Sequence, residues 1–341
     1  MIDKILFAKS LFLAKWSRPK PLIVHLNLTN FCNLKCKYCY GSYWGRKNVK
    51  DIPTETFKKM IKELADLGCR RMVFCAGEPL TRKDIGILID YAKSKGIVSH
   101  INTNGHLVRQ RIKDIKNLDS ICISIDGSEK THDSFKGKGS YKKVVDAIKF
   151  AKSKGMNVHT STMICKYNME DVSHIIKLSK KIGFMTEWLL PFYNSDPDLI
   201  PDTKDMISVL EMMICYKKMG YPIFISEESL AYALRWEDYN KRKSKDFTDF
   251  PCYAGKIHAI IDPDGKFYPC SQQVKMVNAK DFRKVGVKKA FDYVAKINKC
   301  RSCYAFLTMH DYNMLIEHNL SVWWNYIKNV FKEWKLRLVK T

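Results

Sequence analysis

TNFCNLKCKYCYGS, residues 29–42, places Cys32, Cys36 and Cys39 at a spacing of C-x3-C-x2-C. Thiolate is the soft ligand that iron–sulfur clusters use, and three thiolates on one tight loop suit a four-iron cluster. Three ligands leave one iron open. An open coordination position marks a place for chemistry, as it does in catalytic as against structural zinc. The competing readings are a zinc knuckle short of its fourth ligand and three unrelated thiols.

Outward from this loop, from Pro21 to about Pro191, short apolar or β-branched runs alternate with amphipathic stretches. The strand candidates are PLIVHLNLT, RRMVFCA, VSHINT, SICISID, NVHTSTMI and TEWLLPF, each followed by polar or glycine-containing turns. In TETFKKMIKELADLG, Phe57, Met60, Ile61, Leu64 and Leu67 share one helical face and Gly68 supplies the stop. Similar helices are expected near residues 84–95, 141–154 and 171–182. Six strand–helix units predict an α/β fold built as a partial (β/α)6 TIM-like barrel over residues 21–200. Such a sheet presents loop chemistry at the C-terminal ends of its strands, which is where the cysteine loop falls.

The remaining organisation reads as a basic amphipathic helix over 1–20, a helical linker over 201–250, a cysteine-bearing module over 251–304 and a second basic amphipathic helix over 305–341. A chain of 341 residues with 46% hydrophobic residues can bury a full core. Its net charge of +24, from 59 Lys and Arg against 35 Asp and Glu, attracts anions or simply solvates the surface. Twelve cysteines without a cleavable signal peptide predict a reducing compartment and metal or redox chemistry, hence a cytoplasmic protein.

The C-x3-C-x-aromatic-C spacing, with Tyr38 as the aromatic, resembles the signature of the radical S-adenosylmethionine (radical SAM) enzymes. AGEP, residues 76–79, resembles the family's glycine-glycine-glutamate-proline motif with Ala76 in place of the first glycine. The resemblance implies that Glu78 receives the amino group of SAM, with Gly77 and Pro79 beside it. It further implies that Thr103 and Asn104 in NTNG, and Ser124 and Asp126 in SID, contact the carboxylate and ribose of SAM. Tyr38 is expected against adenine or in the core. The implied chemistry is one-electron cleavage of SAM at a 4Fe-4S cluster held by Cys32, Cys36 and Cys39, giving a 5′-deoxyadenosyl radical that abstracts hydrogen from a substrate. Reduced flavodoxin or a ferredoxin-type protein is the implied electron donor.

Downstream, Cys252 and Cys270 bracket a hairpin, IHAIIDPDGKFYPC, and Cys300 and Cys303 follow as CRSC. Four cysteines can complete a tetrahedral zinc site. The C-x12-G-x4-C plus C-x2-C arrangement is also similar to the auxiliary-cluster module of the SPASM and twitch branches of the family, which implies one auxiliary 4Fe-4S cluster on all four thiolates. Cys69, Cys75, Cys122, Cys165 and Cys215 read as small buried apolar residues.

Substrate is less legible. The terminal helices interleave Trp, Phe and Leu with lysine, which suits either packing on the barrel or an anionic membrane surface. A short basic apolar helix leading into the first strand also resembles lipid-tailoring radical SAM enzymes, which makes a lipid or other membrane-associated substrate one expectation, with the protein peripheral at the inner face of the membrane. Peptide modification and maturation of a small cofactor are the alternatives within the family. A basic RNA-binding or electron-transfer iron–sulfur protein is the alternative outside it.

Overall fold

In the computed structural model, the described residues are 2–39, 50–191, 197–239, 241, 250–274, 276–298 and 303–338. Six strands, β1 (Ile23–Asn27), β2 (Arg71–Cys75), β3 (Val98–Thr103), β4 (Ser120–Ser124), β5 (Val158–Met163) and β6 (Met185–Leu189), pair in parallel in chain order. They match the six sequence-predicted strands. The register keeps alternate side chains on one face: His25 lies beside Val73, Val73 beside His100, and His100 beside Ser120.

Helices cover the other face. After α1 (Ile2–Leu13), which lies at the N-terminal strand ends, they begin with α2 (Thr54–Asp66), α3 (Ile85–Ser94) and α4 (Val108–Arg111). In α2, Phe57, Met60, Ile61 and Leu64 are buried, at about 2 kcal/mol each. The predicted stop is Gly68, at φ +96. Then come α5 (Glu129–Lys136), which the periodicity did not predict, α6 (Ser140–Ser153) and α7 (Val172–Ile182). Beyond the barrel lie α8 (Thr203–Lys218), α9 (Glu227–Leu234), α10 (Phe282–Val285), α11 (Val287–Ile297), α12 (Leu307–Ile316) and α13 (Leu320–Leu338).

Two expectations change. The hairpin of the cysteine module, β7 (His258–Ile261) and β8 (Phe267–Tyr268), is not a separate unit: β7 pairs in parallel with β1. The sheet therefore has eight strands in the order β6-β5-β4-β3-β2-β1-β7-β8, and it is open. Residues 305–341 are not one amphipathic helix either. The chain breaks at His318, with φ +64, between a largely buried α12 and a half-exposed α13.

The N-terminal strand ends are floored by α12 and α13. Arg71, the first residue of β2, points Nη1 at Tyr312 and Nη2 at Tyr326, both at 3.4 Å, and lies 3.6 Å over the Phe7 ring of α1. At the other side, Asn157 before β5 donates to Glu333 at 3.4 Å, and Lys152 donates to the Leu336 carbonyl at 3.1 Å.

Candidate active site

The cysteine loop leaves β1 and is held by the C-terminal ends of three further strands. Leu28 N–H donates to the Cys75 carbonyl, and Glu78 N–H to the Phe31 carbonyl at 2.8 Å. From the end of β3, Asn104 Nδ2 donates to Asn33 Oδ1 at 2.8 Å and approaches Cys32 Sγ at 3.8 Å. Beyond β4, the Tyr38 hydroxyl donates to Asp126 at 2.5 Å, while Lys37 N–H reaches the Phe135 carbonyl of α5. Cys32, Cys36 and Cys39 are free, half-buried thiols. Burial pushes the Cys32 thiol up, and Cys36 up to about 11.

Glu78 is the pin of this arrangement. Its carboxylate is fully buried and accepts from Leu80 N–H at 3.0 Å, Thr103 Oγ1 at 2.8 Å and Asn104 N–H at 2.7 Å. Burial raises its pKa, and these hydrogen bonds oppose the rise. Three of its lone pairs are thereby used on β2–β3 geometry, leaving one direction for an ammonium group. The AGEP turn is tight: Ala76 and Gly77 both adopt positive φ, +62 and +58. A Cβ on Gly77 would lie 2.3 Å from the Phe31 carbonyl oxygen, so only glycine permits this approach to the cysteine loop.

Asp126 is 1% exposed and already engaged. Besides Tyr38 it pairs with Lys136 of α5 at 3.0 Å, and its own N–H donates to His132 Nδ1. The structure thus places Asp126 and Tyr38 in a buried network that joins the cysteine loop to α5. Ser124 stays half-buried at the end of β4, and Pro79 is buried in a short 3-10 turn over Pro79–Thr81. Lys136 and Asn33 were not singled out from sequence, because only the fold carries α5 and the loop to these partners.

The loop fits an iron–sulfur cluster by its donor set and by an unmet need. The Asn30 carboxamide, two residues before Cys32, is buried with neither oxygen nor nitrogen paired. Among the described residues no three His, Cys, Asp or Glu side chains converge on one point as a single ion requires. Cluster ligation is different, since each thiolate takes its own iron.

In the second set, Cys252 and Cys303 are half-buried and Cys270 buried; Cys300 lies outside the described residues. Adjacent glutamines, again missed from sequence, aim amides at two of these sulfurs: Gln272 at Cys303 (3.5 Å) and Gln273 at Cys270 (3.9 Å). Ala305 N–H approaches Cys303 Sγ at 3.3 Å. Donors to sulfur are what tune thiolate-ligated clusters. The two sites are linked through Asn27, which accepts from the Cys75 thiol at 3.2 Å and donates to Asp262 of the hairpin turn at 2.8 Å.

The sheet face that the helices leave uncovered is polar: the strand register puts His25, His100, Cys122, His159 and Glu187 on it, and His25 and Glu187 are only partly buried there. Cys122 of β4 approaches Glu187 of β6 at 3.6 Å, and burial pushes the Glu187 carboxyl up to about 7. Burial, then His258 and His100, hold His25 well below the usual imidazole value. The other expected buried cysteines divide: Cys69, Cys75, Cys122 and Cys165 are buried, but Cys215 on α8 is exposed.

Residues 26–179 match the Radical SAM superfamily. Residues 26–179 thus carry a radical SAM domain. Fe-coproporphyrin III synthase of Methanosarcina barkeri is 34% identical over 170 residues, 49% of this chain and 43% of that protein. PqqA peptide cyclase of Bradyrhizobium diazoefficiens is 27% identical over 164 residues, 47% and 43% respectively. The chain thus spans less than half the length of these two curated relatives. Streptococcus suis SuiB bound to S-adenosylmethionine shares the fold at a TM-score of 0.65 and 15% identity, covering 83% of this chain and 67% of that one.

Proposed function

We propose that this protein is a radical SAM enzyme acting on a polar substrate, a peptide or a cofactor precursor, held inside the open barrel. One observation carries the reading: three free thiols on a single loop, tied to the ends of β2, β3 and β4 around the Glu78 pin. Cys32, Cys36 and Cys39 would hold a 4Fe-4S cluster. When bound, cluster and SAM supply a 5′-deoxyadenosyl radical that takes a hydrogen atom from substrate.

The chain's own groups then have separable tasks. Gly77 lets the AGEP turn close on the cysteine loop, and Glu78 fixes Thr103 and Asn104 where the SAM amino acid portion is to be gripped. Ser124 remains accessible for a polar contact with SAM. Tyr38 and Asp126 act by holding the loop rather than by touching the ligand. The radical chemistry requires bulk water to be kept from the intermediate and the target C–H bond to be oriented at the polar face of the sheet. His25, Cys122 and Glu187 offer hydrogen-bonding groups there, a lining suited to a polar molecule rather than a lipid chain.

Cys252, Cys270, Cys300 and Cys303 are read as ligands of one auxiliary 4Fe-4S cluster, supported by the amides of Gln272 and Gln273. A one-electron donor of the flavodoxin or ferredoxin type is required.

The test is 5′-deoxyadenosine formation by the anaerobically reconstituted, reduced protein, offered peptide extract, tetrapyrrole precursors, a polar metabolite extract or polar lipids. Formation that depends on Cys32, Cys36 and Cys39 supports the reading, and stimulation by lipids alone would overturn the polar-substrate part. No cleavage under any condition would refute the enzyme. A Cys32/Cys36/Cys39→Ala variant should retain about four irons per chain; zinc without iron would remove the auxiliary cluster.

A further inference from the structure

Ten of the fifteen large apolar side chains exposed among the described residues lie on α1, just after it at Trp16, or on α13. On α13 they form one stripe: Leu320 (83% exposed), Trp324 (58%), Ile327 (41%), Phe331 (61%) and Trp334 (61%). The opposite face of the same helix, with Val322, Asn329 and Glu333, is buried on the barrel floor. α1 divides likewise: Phe7 and Leu11 are in the core, whereas Ile5, Phe12 and Leu13 face outward. The two helices meet at an aromatic junction, where Phe12 stacks on His318 at 4.2 Å and approaches Trp323 at 6.3 Å.

The exposed charges of α13 have one sign. Lys328, Lys335 and Arg337 are its exposed charged side chains, and Lys9 lies beside the apolar positions of α1; Lys15 is neutralised by Glu317 at 2.7 Å. Lys328 lies 5.4 Å over the Trp324 ring. The heptad-like spacing of the stripe would also suit a second copy of α13. Pairing two copies, however, would bring lysine and arginine rows together with no acidic row to meet them. A negatively charged lipid surface meets both demands, since tryptophan and lysine are the side chains that settle at headgroup depth. No helix among the described residues is long and apolar enough to cross a membrane, so contact would be from one side.

We propose that α1 and α13 form a docking face for an anionic phospholipid bilayer. The face covers the N-terminal ends of the strands, whereas the cysteine loop sits at the C-terminal ends. Docking therefore anchors the protein with its cysteine loop turned toward water, and does not deliver a membrane lipid to it.

The full-length protein would be sedimented with vesicles of phosphatidylcholine alone or mixed with phosphatidylglycerol. Binding to the mixed vesicles, weakened by salt, is expected. Trp324→Ser/Phe331→Ser/Trp334→Ser and, separately, Lys328→Glu/Lys335→Glu/Arg337→Glu should each reduce it about tenfold or more. These positions are exposed, so circular dichroism should match the wild type. On vesicles, amide hydrogen exchange should slow over 5–16 and 320–338 and stay unchanged over 28–39. Equal binding to both vesicle types, retention of binding by both variants, or protection of 28–39 instead would overturn the proposal. So would a wild-type dimer that the aromatic variant makes monomeric while vesicles capture neither protein.

Discussion

Replacing Gly77 with alanine tests the contact on which the site is built. Gly77 sits at φ +58, where an L-residue costs about 1 kcal/mol more than glycine. Its new Cβ would stand 2.3 Å from the Phe31 carbonyl oxygen and 2.6 Å from that of Thr29. Both are backbone atoms of the cysteine loop, so relief means moving the loop by about 1 Å rather than turning a side chain. That movement breaks the 2.8 Å Glu78 N–H bond to Phe31, worth about 1 kcal/mol and more if the groups stay buried. With residual strain of similar size the loss is about 3 kcal/mol. The adjacent Ala76 makes the opposite case: at φ +62 it already bears the left-handed cost, so Ala76→Gly should gain up to about 1 kcal/mol. Denaturant unfolding followed by circular dichroism reads both. Iron retention after anaerobic reconstitution in a Cys252/Cys270/Cys300/Cys303→Ala background reads the first site alone. If Gly77→Ala unfolds like the wild type and retains the same iron, the close approach of the two loops is not what assembles the site.

Glu187 gives a pH dependence. Its folded pKa, about 7, lies above the ordinary 4.5, so the stability it contributes is complete below about pH 4.5 and is lost as pH rises through 7. Glu187→Gln should remove up to about 3 kcal/mol of that fall, measured as unfolding free energy at about pH 5 and about pH 8. An unchanged pH profile would show the carboxyl to be solvated. Lys136→Met leaves the buried Asp126 carboxylate without its cation and should cost about 3–5 kcal/mol, read by urea unfolding. A loss within experimental error would mean that Asp126 is held by Tyr38 alone. In native protein, iodoacetamide followed by mass spectrometry should label Cys215 rapidly and spare Cys69 and Cys165, whose thiols burial pushes up to about 12 and about 11. Equal labelling would contradict the packing of β2 and the β5–α7 connection.

Much of the barrel was legible because it is written locally. Short apolar or β-branched runs bounded by turns mark β1 to β6, recurrence at three and four residues marks α2, and the spacing of Cys32, Cys36 and Cys39 is compact enough to name a ligand set. The helix α5 escaped because EKTHDSFK shows no strong apolar recurrence; His132, Phe135 and Lys136 are nevertheless buried, and Lys136 pairs with Asp126. Cys215 was misassigned because an exposed position on α8 has the same local composition as a buried one.

What the sequence alone determined, then, is the parallel strand–helix succession, the cysteine loop at the end of β1 and the amphipathic character of the helices. Only the tertiary structure decided that β7 joins the sheet beside β1, that Glu187 meets Cys122 from 65 residues away, and that Asp126 is occupied by Tyr38 and Lys136. It also decided that the exposed faces of α1 and α13 lie at the end opposite the cysteine loop. Spacing within one strand or helix follows from backbone geometry over a few residues, whereas these pairings arise when distant segments compete to bury the same surface, and no local pattern records which one prevails.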